Sequence, residues 1–97
     1  EKDWSISFQS RLGPMRWIEP FTDRELIRIA QNGKKRLAIC APAFVVDGLE
    51  TLEEIQIEGQ HSFRKFGGES FHYVACPNDH PIWIENFSNW LGSLVRP

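Results

Sequence analysis

The sequence predicts an α/β fold: a three-layer half-domain with a parallel sheet, in the order β-α-β-α-β-α and one strand short at its upstream edge. Two observations predict it. Short apolar runs alternate with stretches whose apolar residues recur at helical spacing, and such alternation is the mark of parallel sheets with crossover helices. Glycine and proline punctuate each junction. Three strands make a thin sheet for this class, hence the expected missing strand.

The elements follow in order. Trp4-Ser5-Ile6-Ser7-Phe8-Gln9-Ser10 alternates apolar and polar residues and reads as a strand. Arg11 to Pro20 contains Gly13, Pro14 and Pro20 and reads as a long loop, of the kind that tends to carry function. Thr22 and Glu25 have the spacing of a capping box, and Leu26, Ile29 and Ala30 form the inner face of the helix they open. Gly33 ends it as a C′ glycine. Arg36 to Ala41 is a short apolar run suited to a buried parallel strand, closed by Pro42. After the turn Ala43–Val46 comes a second helix whose back carries Leu52 and Ile55, a pattern continued by Phe63 and Phe66 up to Gly67-Gly68. Phe71 to Ala75 is a third strand. Asp79 is the expected cap of a last helix, His80 to Leu94, with Pro81 early in it and an apolar stripe from Trp83 to Leu94.

Bulk properties narrow the function. The chain has 97 residues, 41% hydrophobic and 25% charged, with a net charge of −2, so it is one small domain or part of a larger protein. Lysines and arginines are scattered, which gives nucleic acid no basic face to bind. The longest apolar run, Leu37 to Val46, is too short to cross a bilayer. Cys40 and Cys76 lack CxxC spacing and cannot form a zinc or iron–sulfur site alone; reduced, buried thiols are the default. With no leader visible, a cytoplasmic location is expected, with peripheral membrane contact left open. The chain begins at Glu1 rather than Met, so a piece of something longer is expected.

One constellation carries chemistry. Glu50, Glu54 and Glu58 recur every four residues and share a helical stripe, with Asp47 at its leading edge. Aligned carboxylates can bind a divalent cation or pass protons. They also commonly just face water or complement a helix dipole. The expected sheet topology places the Arg11–Pro20 loop, the Pro42–Asp47 turn, Glu50 and the Cys76–Asp79 turn along the carboxyl ends of the strands, where such sheets bind ligands.

Two segments resemble a known family. Phe8-Gln9-Ser10-Arg11-Leu12-Gly13-Pro14-Met15-Arg16-Trp17-Ile18-Glu19-Pro20-Phe21-Thr22-Asp23 is similar to a signature segment of ferrochelatases. Cys40-Ala41-Pro42-Ala43-Phe44-Val45-Val46-Asp47-Gly48-Leu49-Glu50-Thr51-Leu52-Glu53-Glu54-Ile55 resembles a second, in the right order and at the right separation. The turn Cys76-Pro77-Asn78-Asp79 is similar to the end of that family.

The resemblance implies a Rossmann-like chelatase half: residues 1–97 as the C-terminal α/β domain of a two-domain ferrochelatase, a lyase that inserts ferrous iron into protoporphyrin IX in the last step of haem biosynthesis. It implies Glu50 at the porphyrin centre as base and metal contact, Asp47 near the inner end of the acid row, and Glu54 and Glu58 continuing toward solvent as a metal or proton path. Family helices bear a wide, π-type turn here. Ser10 matches a residue near a propionate, and Trp17 and Phe44 match pocket walls. No permanently bound cofactor and no iron–sulfur cluster are expected, with Fe²⁺ as substrate. Gly48 stands where relatives often carry His or Cys. The partner histidine would come from the N-terminal half, so the piece alone is expected to be inactive; His61, His72 and His80 read as structural or exposed. Two rivals stand beside this reading. A small homodimeric cobalt or sirohydrochlorin chelatase would need a histidine within Gln9–Pro14, where none occurs. A non-catalytic α/β binding or assembly domain would use Glu50 only to cap its helix.

Overall fold

The computed structural model describes residues 3–9, 16 and 18–95. In chain order it contains α1 (Thr22–Gln31), β1 (Arg36–Cys40), a π-helix (Leu49–Gly59) running directly into α2 (Gln60–Lys65), β2 (Ser70–Val74) and α3 (Pro81–Val95). The architecture is mixed α/β. β1 and β2 pair in parallel, with Arg36 opposite Ser70 and Cys40 opposite Val74.

The expected first strand is reduced to a single bridge. Phe8 pairs in parallel with Phe21, its N–H donating to the Pro20 carbonyl and its own carbonyl accepting from the Thr22 N–H. The segment is thus spent on the residues leading into α1 and not on an edge of the sheet. Ser5 and Ser7 extend the attachment through their hydroxyls, to Glu25 Oε2 and Thr22 Oγ1 respectively.

α1 forms where expected but is capped differently. Phe21, not Thr22, is the extended residue before the helix, and no side chain caps it. Thr22 lies inside the first turn with its hydroxyl turned to Ser7, and Glu25 turns to Arg28, whose Nε and Nη2 reach its two oxygens at 2.8 and 2.7 Å. Both capping-box partners are therefore claimed by other contacts. The C-terminal expectation holds: Gly33, at φ +88°, donates to the Ala30 carbonyl while Lys34 donates to that of Ile29, a Schellman closure.

The core lies between α1, the π-helix–α2 segment and one face of the sheet. Leu26, Ala30, Ile55 and Phe63 are buried, Phe63 fully. The Phe63 ring stands 6.0 Å from that of Phe71. Gly68 also leaves room for it, since a Cβ there would fall 2.2 Å from the ring.

β1 was expected to be buried on both faces. Instead both strands alternate half-buried and exposed positions, with Leu37, Ile39, Phe71 and Tyr73 inward. Among the described residues one face of the sheet is covered, and α3 buries none of its residues. His80, not Asp79, caps α3: its Nδ1 accepts from the Ile82 N–H, and Pro81 occupies the first helical position, where no N–H is needed. No helix among the described residues is long and apolar enough to cross a membrane.

Candidate active site

The acid row sits on the π-helix. In an α-helix, residues four apart overshoot a full turn by about 40°, so over its two steps the row would swing through about 80°. The wider i→i+5 winding of a π-helix takes more residues per turn and keeps such positions closer to one line. Within the π-helix Thr51, Ile55 and Gly59 are buried at steps of four, and Phe63, on α2, continues the buried seam. Glu50, Glu54 and Glu58 each precede one of these residues, so the acids form a parallel row beside the buried seam. Leu52, expected on the buried back, is instead 44% exposed, because the wide winding gives that place to Thr51. Phe66 likewise lies outside the core.

Along the row the surroundings change. Glu50 is half-buried, and its backbone carbonyl accepts from Gln9 Nε2 at 2.9 Å. Gly48 lies close by: a Cβ there would stand 3.2 Å from Glu50 Oε1, so any side chain at that position would bear on the carboxylate. Glu54 and Glu58 are exposed and line a groove of about 340 Å³, together with Gln9 and with Asp23 and Arg24 at the start of α1. The acids are a ladder and not a cage: among the described residues no group of three or more His, Cys, Asp or Glu side chains converges on one metal position.

Asp47 has different company. Its Oδ1 accepts from the Tyr73 hydroxyl at 2.5 Å, and its Oδ2 accepts from Asn78 Nδ2 at 2.8 Å and the Cys76 N–H at 3.2 Å. The Tyr73 and Asn78 donors, in that order, hold its carboxyl well below the usual carboxylate range. Burial, helped by the adjacent carboxylate, pushes the Tyr73 phenol up. Burial also raises the Cys76 thiol. Asn78 adopts φ +52°, a conformation asparagine tolerates, and its backbone N–H donates to the Val45 carbonyl. The turns after β1 and β2 are thereby tied together at the carboxyl ends of the strands.

Phe44 lies half-buried in the turn after β1. Ser10 and Trp17 fall outside the described residues. His61 and His72 are exposed on α2 and β2. Gln9, Thr51, Tyr73 and Asn78 were not picked out as site residues from the sequence. Gln9, Thr51 and Asn78 each lie within a segment that carries the family resemblance, whereas Tyr73 lies in the expected third strand with no local signal of this role.

The ferrochelatase family model matches residues 1–94. The chain belongs to the ferrochelatase family. It is 50% identical over 94 residues to a ferrochelatase of Pseudomonas paraeruginosa, covering 97% of this chain and 28% of that protein. It is 46% identical over 91 residues to a ferrochelatase of Bdellovibrio bacteriovorus, covering 94% and 27%. A third ferrochelatase, from Azotobacter vinelandii, is 53% identical over 83 residues, covering 86% and 25%. The chain thus spans about a quarter of the length of these curated ferrochelatases. Both motifs that carried the resemblance lie within the matched region.

Proposed function

We propose that this chain is the C-terminal part of a ferrochelatase that inserts Fe²⁺ into protoporphyrin IX to form protohaem. The observation that carries this is Glu50 at the head of the π-helix, half-buried at the carboxyl rim of the sheet, with Glu54 and Glu58 leading from it to an open groove. Metal insertion releases two pyrrole protons, so a base is needed within reach of the ring centre, and Glu50 takes that role. Glu54 and Glu58 provide carboxylates that hold Fe²⁺ or protons loosely enough to release them. Paired thiolates would trap the metal. Phe44, with Ser10 and Trp17, belongs to the wall and rim of the porphyrin pocket, a large flat ligand that favours apolar surfaces with few polar contacts.

On this reading residues 1–97 form the second half of a two-domain, Rossmann-like enzyme, cytoplasmic or peripheral to a membrane. The first half adds the histidine opposite Glu50, a further strand and the cover for the open sheet face. The exposed sheet face and the unburied α3 support that incompleteness. No resident cofactor is needed; iron is the substrate. The test is Glu50→Gln in the full-length protein, with iron insertion into protoporphyrin measured directly. Loss of a general base costs about 10²–10⁴-fold in rate. Unchanged turnover would favour a non-catalytic binding domain, and full turnover by the 97-residue chain alone would overturn the two-half site.

A further inference from the structure

We propose that Asp47 is a positioning residue, clamped by Tyr73, Cys76 and Asn78 so that it fixes the first turn of the π-helix and with it the direction of Glu50. The inference rests on Glu50 being the base.

Asp47 stands where an acid row would have its innermost member, yet its hydrogen bonds suit an anchor. Three donors converge on its two oxygens, and all three come from β2 or the turn that follows it. The Asp47 N–H in turn donates to Asn78 Oδ1 at 2.8 Å, so Asp47 and Asn78 are joined in both directions. Asn78 Nδ2 also reaches the Cys76 carbonyl at 2.9 Å, which closes its own turn. Three donors on the carboxylate favour its ionised form, which suits a fixed anchor better than a group that takes up and passes on protons.

The clamp acts forward along the chain. Gly48 follows Asp47, and its N–H donates to Thr51 Oγ1 at 2.9 Å. The Gly48 carbonyl accepts from the Leu52 N–H at 2.8 Å and from the Thr51 N–H at 3.2 Å. Thr51 is fully buried, so its hydroxyl has a fixed address. Glu50 lies between these two fixed points, with Gln9 on its carbonyl as a third tether. A base misplaced by about 1 Å can lose about 10²-fold in rate. The device thus holds a wide, less regular turn open at the one residue whose aim matters.

The test uses the full-length protein with Fe²⁺ and protoporphyrin IX. Tyr73→Phe removes one donor and keeps the ring. Asn78→Gly removes the side chain and keeps the left-handed backbone. Both leave every acid in place. Each is expected to lower kcat about tenfold with KM for porphyrin unchanged, the signature of a misaimed group rather than lost binding. Combined with Asp47→Asn, Tyr73→Phe is expected to cost far less than the sum of the two changes, because the clamp is already open. Hydrogen exchange should quicken in the peptide covering residues 47–55 in all of these variants. Wild-type kcat in Tyr73→Phe and Asn78→Gly, beside a loss in Asp47→Asn, would make Asp47 a proton carrier and overturn the proposal. If Glu50→Gln proves silent, the proposed function fails first; the clamp is then judged by exchange alone, and unchanged exchange at 47–55 in Tyr73→Phe overturns it too.

Discussion

The π-helix with α2 and the last helix, α3, both read in sequence as segments that dock by an apolar stripe, yet they end differently. The first buries Thr51, Ile55, Gly59 and Phe63 against α1 and the sheet. The second buries nothing: Trp90 is 56% exposed and Val95 81%. Within α3 the aromatic rings contact one another instead, Trp83 stacking on Phe87 at 5.2 Å and Phe87 lying 5.9 Å from Trp90. An apolar stripe marks a face that gains by burial. It does not say what buries it.

The strongest way to break that contrast is to truncate one ring in each region. Phe63→Ala is expected to destabilise the protein by about 3–5 kcal/mol, since a fully buried ring leaves a cavity. Trp90→Ala should cost within about 0.5 kcal/mol, since that side chain is more than half exposed. Denaturant midpoints on both variants decide it; a Trp90→Ala loss matching that of Phe63→Ala would mean α3 is covered.

A second pair sharpens the winding. Ile55→Ala should cost about 2–5 kcal/mol, whereas Leu52→Ala, three residues earlier, should stay within about 0.5 kcal/mol. Ordinary α spacing would bury both. Comparable losses in thermal unfolding would argue for α geometry instead. Gly68→Ala presses a methyl group against the fully buried Phe63 ring and should cost about 1–3 kcal/mol by overpacking.

The smallest expected effect is a pH slope. Asp47 has a folded pKa below its unfolded one, so its stabilisation is present above about pH 4 and is lost as pH falls further. Tyr73 has a raised folded pKa, so its share is present below about pH 10 and is lost as pH climbs through the folded value. Melting temperatures from pH 3 to 7 should fall less steeply at the acid end in Asp47→Asn than in wild type.

Much of the local structure could be read directly from residues. Gly33 ended α1, Pro81 opened α3, and Gly67 at φ +115° closed α2, because glycine and proline act through their own backbone sterics. The acid spacing and the two family motifs were legible for the same reason: they are patterns in the chain itself. Capping and burial were harder. Thr22, Glu25 and Asp79 had plausible local partners, but Ser7, Arg28 and His80 took over, and competition between partners is settled only once distant segments meet. The run Trp4–Ser10 alternates like a strand, yet among its described residues the pairing is one bridge from Phe8 to Phe21, the residue before α1.

By itself the sequence determined the family, the α/β alternation and the four-residue recurrence of Glu50, Glu54 and Glu58. Tertiary structure decided which side of that helix is buried, since the π winding is held by side chains from elsewhere: Gln9 on the Glu50 carbonyl, and Tyr73 and Asn78 on Asp47. Those tethers lie 41, 26 and 31 residues away along the chain, and no local pattern encodes a contact that only folding creates.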